Sequence, residues 1–460
     1  ILAGVTIAAL SGDNGILKRA TEAKEQTNQK NDEETEKIGG YESTIDQYVD
    51  GNGGGSGGGT GTNFTNVNTS DSNPAGAVPA NSTVVEADAS KGIVIKDKNN
   101  NEWVWIEVPK TTVFSGLTID TTNTLTEQNY TDIKNKLIAY ATTYREGKLG
   151  QGCNWTDEWY AVDGDELVTA STSNLTEAQK ALTNGCGLTY DEYKTAYQKM
   201  LKSVYTYGGF WIGRYEAGIE GSITDLTKAR TGPTGGAGGI PGPTSYDGTS
   251  VKVLKLATIT TQSDNTNTLP KAISQKDAIP YNWVTCSEAQ SLAKEMTPNS
   301  NYTSSLMFGI QWDLVCKYLE VKGRLSVADI KKDSSSWGNY NNVKIENITS
   351  GKYKESVNRY NWGVWKKITN AFTKSDSGDN SSALLSTGIS EYTKKMNIYN
   401  FASNEGEWTL EKTSSNLYPC ALRGGYCNIT GYIGPASYRN YHGTTRADLN
   451  IGFRPALYVN

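Results

Sequence analysis

The chain has 460 residues, enough for two or three domains, and its 44 Lys and Arg against 49 Asp and Glu give a net charge of -5. This balance excludes a basic nucleic-acid-binding protein, so we expect no nucleic-acid partner. The one histidine, His442, excludes most zinc enzymes and the iron sites that need two histidine ligands.

The first 50 residues differ from the rest in charge. They carry ten acidic and five basic residues, which account for the whole net charge. They open with the uncharged stretch ILAGVTIAAL, too short to span a bilayer, which needs about 20 residues. After a turn-like break at Ser11–Gly15, residues 16–50 favour a helix with a thin apolar stripe. We therefore expect residues 1–10 to belong to a processed apolar helix. We expect the largely polar helix at 16–50 to be exposed to solvent or held by neighbouring copies.

The string ILAGVTIAALSGDNGILKRATEAKE resembles the N-terminal helix of type IV pilin-like proteins of Gram-positive bacteria. The resemblance implies transient membrane association followed by packing of this helix in the core of a homopolymeric filament. A plain membrane anchor and an exposed coiled coil are the alternatives. The residues expected in the filament core are Ile1, Leu2, Val5, Ile7, Leu10, Ile16 and Leu17.

A Gly-rich segment at 51–61 predicts a flexible tether, and an engineered linker is the alternative. Because residues 62–84 remain rich in Asn, Thr, Ser and Pro, we predict three parts: a helix at 1–50, a linker at 51–84 and a head at 85–460.

The residue patterns of the head predict an α+β fold, with helical patterns concentrated at 120–205. Thr189 and Glu192 form a capping-box pattern before a helix to Val204, and Thr285 with Glu288 form another before a helix through Met296. The strands expected from alternating or buried apolar runs include 103–109, 208–216 and the start of 305–319, which continues as a helix.

Six ordered motifs of the head resemble the formylglycine-generating enzyme (sulfatase-modifying factor) family. They are GGFWIGRYEAG, NWVTCSEAQSLAKEM, GIQWDLVCKYL, NIYNFASNEGEWT, LRGG and GFRPAL, spread over residues 95–460. The resemblance implies a variant of the C-type lectin fold, with 120–205 as a helical insertion. We expect no cofactor and no metal; a structural calcium ion near Asn404, Glu405 and Glu407, where that family places such a loop, is the alternative.

The catalytic chemistry of that family does not carry over to this chain. Oxygen-dependent members bind copper with two cysteines that follow the Arg-Gly-Gly motif, whereas here Cys427 is the last cysteine and Cys420 precedes the motif. Iron-dependent relatives need several histidines. We therefore expect a non-enzymatic head, and a copper-dependent oxidase is the less favoured alternative.

Related variable proteins of diversity-generating retroelements use the stretch between the Arg-Gly-Gly and Gly-Phe-Arg motifs as a contact surface. The matching stretch, 426–450, is rich in the Tyr, Ser and Asn that make adaptable contacts. It predicts binding of a carbohydrate or protein ligand, and packing of the tyrosines within the fold is the alternative. The candidate residues are Tyr426, Asn428, Tyr432, Tyr438, Asn440, Tyr441 and His442.

The six cysteines suggest disulfides in an exported chain, with 15 possible connectivities. Chain order favours Cys153–Cys186, Cys286–Cys316 and Cys420–Cys427, and free buried thiols are the alternative for Cys286 and Cys316. Ten Asn-x-Ser/Thr sequons, close to the number expected by chance, are weak support for a glycoprotein.

Together these patterns favour a structural subunit of an extracellular, cell-surface pilus-like filament. Its N-terminal helices form the core, and its non-catalytic heads serve adhesion or ligand binding. A singly anchored cell-surface adhesin or lectin-like protein is the alternative.

Overall fold

The chain divides into two units, Ile1–Gly57 and Gly58–Asn460, and the structure, a computed structural model, describes residues of the second unit. The predicted N-terminal helix, its seven filament-core residues and the Gly-rich tether lie outside the described residues. The described ranges are 63–145, 155–156, 186–221, 244–246, 251–253, 271–358, 361–376, 382–415, 418–444 and 446–460.

The described residues mix helices and strands, which confirms the predicted α+β class. The helices are α1 (Lys110–Val113), α2 (Glu127–Tyr140), α3 (Thr142–Arg145), α4 (Tyr190–Tyr207), α5 (Cys286–Lys294), α6 (Gly309–Val321) and α7 (Val327–Lys331). The strands are β1 (Thr83–Glu86), β2 (Val94–Lys96), β3 (Glu102–Glu107), β4 (Trp155–Thr156), β5 (Gly209–Gly213), β6 (Gly218–Ile219), β7 (Thr244–Tyr246), β8 (Val251–Val253), β9 (Ala272–Ile273), β10 (Tyr302–Leu306), β11 (Ile345–Ile348), β12 (Lys352–Asn358), β13 (Asn361–Trp362), β14 (Lys366–Lys367), β15 (Phe372–Lys374), β16 (Ala383–Leu385), β17 (Lys394–Lys395), β18 (Ile398–Tyr399), β19 (Gly406–Thr413), β20 (Cys420–Arg423), β21 (Arg439–His442), β22 (Ile451–Phe453) and β23 (Pro455–Val459). Among these residues, no helix combines the length and apolarity needed to cross a membrane.

A six-stranded antiparallel sheet organises the core, in the order β1-β2-β3-β5-β23-β10. Strand β23, formed by Pro455–Val459, lies between β5 and β10 and is therefore an internal strand of the sheet. Helix α4 packs against β5 and β23, which makes the last helix of the predicted insertion part of the core.

Local sequence signals set the helix starts as predicted. The Thr189 hydroxyl accepts from the Glu192 N–H at 3.3 Å, and the Glu192 carboxylate accepts from the Thr189 N–H at 3.0 Å. Thr285 and Glu288 form the same reciprocal cap on α5. Gly208 ends α4 in the left-handed conformation, with φ +69, and a Cβ there would meet the Asp71 carbonyl oxygen at 2.1 Å.

Buried tryptophans fill the core, and their indole N–H groups find acceptors. Trp103 donates to Asp97 Oδ2 at 2.8 Å, and Trp408 donates to the Val284 carbonyl at 2.9 Å. The rings of Trp105 and Trp211 meet edge to face, with centroids 4.9 Å apart. An indole that is both packed and hydrogen-bonded gains from burial without an unsatisfied donor.

The head begins earlier than the composition predicts. The Ser72 hydroxyl accepts from the Trp105 indole at 2.8 Å, and the Ala77 carbonyl accepts from the Trp211 indole at 2.7 Å. Ala77 and Val78 are themselves buried. Residues 63–82 are therefore part of the folded head, and the predicted linker boundary at 84 is wrong because tertiary contacts order a segment of polar composition.

A second sheet carries the region of the motifs that follow residue 400. Its order is β21-β20-β19-β22, with β4 paired to the end of β19. Strand β22 runs parallel to β19, whereas β20 and β21 form an antiparallel ladder beside it. The loop between Arg423 and Arg439 connects the two strands of this ladder, and its exposed residues are Tyr432 and Ile433.

Shortening the head tests the revised boundary. A chain that begins at residue 63 should keep the full stability of the head, whereas one that begins at Thr83 should lose about 2 kcal/mol or more. The reason is that the longer deletion uncovers two indole rings and removes their acceptors. Urea denaturation measures the free energies of unfolding, and equal values would restore the predicted linker.

Candidate functional site

The Arg-Gly-Gly motif starts a tightly folded loop between β20 and β21. Gly424 takes a left-handed conformation, with φ +72, and lies against the Trp312 ring. A Cβ at Gly425 would lie 2.2 Å from the Gly434 carbonyl oxygen, so the loop crosses itself where only glycine fits.

Two buried arginines fix both ends of this loop. Arg423 contacts Asp313 at 2.7 Å and Glu411 at 3.0 Å. Arg439 contacts the same two carboxylates, Asp313 at 3.0 Å and Glu411 at 2.9 Å. All four side chains are at most 1% exposed. We call this set the buried ionic network.

Further contacts extend the buried ionic network. Arg439 also donates to the Tyr144 carbonyl at 2.8 Å, and Arg145 reaches Asp313 at 3.1 Å, which ties α3 to the loop. Burial opposes ionisation of Glu411, but Arg439 and Arg423 outweigh it and lower its pKa. Glu411 is therefore charged and paired, and Arg439 serves structure rather than ligand contact.

A second buried ion pair lies under the Gly-Phe-Arg motif. Arg454 donates to Glu407 Oε1 at 2.8 Å and to the carbonyls of Gly213 and Tyr399. Beside this pair, burial raises the pKa of Glu216 to about 8; the nearby Glu407 acts in the same direction and Arg454 opposes it. The surroundings of Glu216 therefore shift its carboxyl group toward the protonated form.

The structure does not bring the seven candidate ligand-binding residues onto one face. Across the β20–β21 ladder, Ala421 is opposite Tyr441 and Cys420 is opposite His442. Since side chains alternate along a strand, Tyr441 points with Arg439 to one face and His442 points to the other. The stretch therefore does not form a single surface at β21. Tyr426, Asn428, Tyr438, Asn440, Tyr441 and His442 are only partly exposed.

His442 is poorly suited to proton chemistry at neutral pH. Its ring lies edge-on to Trp408, with centroids 6.4 Å apart. Burial lowers its pKa to about 4, Arg446 adds to the decrease, and Asp448 opposes it. The imidazole is therefore neutral over the physiological range.

The most accessible of the seven residues is Tyr432, which lies at the tip of the loop. Tyr432 is 57% exposed, and its neighbour Ile433 is 43% exposed. Tyr392, 38% exposed, donates to the Ser335 carbonyl at 2.6 Å. Asn342 links the two regions, because it donates to the Ser335 hydroxyl and accepts from the N–H of the residue before Tyr432.

We call Tyr432, Ile433, Tyr392 and Asn342 the loop-tip patch. The sequence predicted Tyr432 but missed Tyr392 and Asn342, which come from segments up to 90 residues earlier in the chain. The sequence does not predict such a patch, because its residues are far apart in the chain and come together only in the tertiary structure.

A concave surface that the sequence also missed lies between α2 and α4. It encloses about 200 Å³ and is lined by Tyr130, Tyr190, Tyr193 and Tyr197 among others. At its rim the Glu127 carboxylate pairs with Lys194 at 3.1 Å. This α2–α4 cleft combines aromatic walls with a polar rim, a composition typical of small-ligand sites.

The predicted calcium-loop residues are largely used by protein partners. The Asn404 amide donates to Glu216 at 2.7 Å and accepts from the Asn339 amide at 2.9 Å. Glu407 pairs with Arg454 at 2.8 Å. Glu405 is buried, and its N–H donates to Glu216. In the described ranges, no group of three or more His, Cys, Asp or Glu side chains is arranged to hold a metal ion.

The predicted disulfides that fall on described cysteines are wrong. Cys186, Cys286, Cys316, Cys420 and Cys427 are all buried free thiols, and Cys153 lies outside the described residues. The pairings fail because cysteines that are neighbours in chain order are not neighbours in space. Cys316, the predicted partner of Cys286, lies beside Arg423 and Asp313. Cys427, the predicted partner of Cys420, lies near Lys374 and Glu405. The free buried thiols weighed for Cys286 and Cys316 are what the structure shows.

Comparison with protein-family models gives no match for this chain, and comparison with curated proteins gives no relative.

Replacing Arg439 with alanine tests the role of the buried ionic network. The substitution should lower the free energy of unfolding by about 3–5 kcal/mol, because it leaves buried carboxylates short of a partner. Arg446→Ala is the matched control: Arg446 also pairs with a carboxylate, Asp448, but the pair is partly exposed. Its loss should cost less than about 1 kcal/mol. Denaturant melts compare the two, and similar losses would contradict the assignment.

Proposed function

We propose that the chain is an exported, non-enzymatic subunit of a cell-surface filament. Its N-terminal segment forms the filament core, and its folded head is displayed outside for adhesion. The observation that carries this proposal is the division of the chain: an apolar, then acidic, helix-favouring segment and a Gly-rich tether precede a densely packed head that starts near residue 63.

The geometry of the head supports a binding role rather than catalysis. Cys427, the one thiol after the Arg-Gly-Gly motif, is buried, and burial raises its pKa above the usual range although Lys374 opposes this. A thiolate is needed both for nucleophilic attack and for copper binding. Cys420 is turned toward Cys286 instead. Arg423 of the Arg-Gly-Gly motif and Arg439 are both occupied by the buried ionic network.

We propose the loop-tip patch as the surface that contacts the ligand. The proposed ligand is a carbohydrate carried by another cell or material. Tyrosine rings present apolar faces to the C–H groups of a sugar and keep a polar tip in water. The Asn342 amide adds a neutral polar group beside them. The rigid base of the loop reduces the conformational entropy lost on binding.

Removing residues 1–17 tests the filament. The full chain should form filaments of uniform diameter in electron micrographs, whereas the truncated chain should give soluble monomers, because it lacks the apolar segment that neighbouring copies bury. A chain that lacks only the tether, 51–61, is the control and should still polymerise.

Filaments from the chain that lacks residues 1–17 would contradict this proposal. Native cells that show heads on their surface but no filaments would favour the alternative of a singly anchored adhesin.

Substitutions in the head test the binding surface. Tyr432→Ala should weaken binding to a glycan array, or to cells whose binding is lost on deglycosylation, by about tenfold or more. Tyr418→Ala is the matched control, since Tyr418 is 43% exposed but packs against Tyr441 away from the loop tip. Loss of binding in Tyr190→Ala alone would move the site to the α2–α4 cleft, and binding unaffected by deglycosylation would identify a protein ligand.

A further inference from the structure

Three buried cysteines from distant parts of the chain meet between α5 and the second sheet. Cys286 is the first residue of α5, and its thiol donates to the Thr409 carbonyl of β19 at 3.7 Å. Thr409 links this thiol to β20, because its hydroxyl donates to the carbonyl of Ala421, the residue after Cys420, at 3.2 Å. The Cys286 thiol therefore lies close enough to the Cys420 thiol to interact with it. Cys186 lies near Cys286, and all three are fully buried.

We propose that Cys286 and Cys420 form a disulfide when the chain folds under oxidising conditions. The bond would join the start of α5 to the start of β20 and close a long loop that contains α6 and the whole of β19. Export, as proposed above, supplies such conditions, but the inference concerns the fold and does not need filaments. Pairing the cysteines in their order along the chain does not predict this disulfide, because Cys286 and Cys420 are far apart in the sequence.

The reaction is thiol–disulfide exchange with a low-molecular-weight or protein disulfide as oxidant. A thiolate of one cysteine attacks the oxidant and forms a mixed disulfide, and the second cysteine displaces the carrier thiol. Two protein thiols are oxidised, one carrier disulfide is reduced to two thiols, and the two protons stay with the carrier thiols.

The buried surroundings set when this exchange occurs. The hydrogen bond to Cys420 and burial both raise the pKa of Cys286, so the folded protein holds almost no thiolate there. The bond should therefore form before the segments close and should then resist reductants in the native state. Closing a long loop restricts the unfolded chain, so the oxidised form should be more stable than the reduced form.

The other described cysteines allow a selective test. Cys316 is equally buried, but its neighbours are Arg423, Asp313 and Arg439 rather than a thiol. Cys316→Ser is therefore a matched control for loss of a buried thiol. Cys186 is the competing partner, since it also approaches Cys286.

The full chain is denatured, reduced, refolded in a buffer of oxidised and reduced glutathione, alkylated in denaturant and mapped by peptide mass spectrometry. We expect a linked peptide that contains Cys286 and Cys420, with Cys186, Cys316 and Cys427 alkylated. Cys316→Ser should keep this link, whereas Cys286→Ser and Cys420→Ser should each lose it and leave the other cysteine alkylated. The disulfide-linked protein, measured without reductant, should also have a higher unfolding midpoint than the reduced protein. The reduced protein is prepared by reduction in denaturant and is refolded and measured with reductant present.

Alkylation of both Cys286 and Cys420, or a Cys186–Cys286 link in their place, overturns the proposal. A link that forms in glutathione buffer supports it even if the chain makes no filaments, so its failure and that of the filament proposal are separate results.

Discussion

The buried ionic network is the constraint on which the candidate surface depends. Two arginines and two carboxylates, at most 1% exposed, tie α6, β19, β20 and β21 together. Buried charges are tolerated only when each has a partner, so the four positions must be held at once. The loop between Arg423 and Arg439 therefore has both of its ends fixed, and its tip with Tyr432 projects from a rigid base.

The rest of the head repeats this solution with other polar groups. Arg454 of the Gly-Phe-Arg motif pairs with Glu407, and burial, together with the nearby Glu407, raises the pKa of Glu216. Asn404 joins these groups to the β16 strand through the Leu385 backbone. Residues that resemble a catalytic or calcium-binding set thus take part in the buried contacts that hold the fold together.

The cysteines show how the same packing changes a chemical expectation. Chain order favours local pairs, yet the sheet brings Cys420 to Cys286, and it leaves Cys316 and Cys427 in separate charged surroundings. The loop-tip patch follows the same pattern, because hydrogen bonds through Ser335 and Asn342 connect Tyr392 to Gly431, the residue before Tyr432. In both cases the deciding contacts are long-range and have no periodic signal in the sequence.

The sequence by itself determined the α+β class, the caps at Thr189 and Thr285 and the buried strands, because these depend on neighbours within a few residues. It also determined the charge difference between the first 50 residues and the rest. Only the tertiary structure decided that residues 63–82 belong to the head, that Arg439 is internal and that Tyr441 and His442 point to opposite faces. Burial and pairing arise between segments far apart in the chain, so a linear pattern of residue types does not encode them locally.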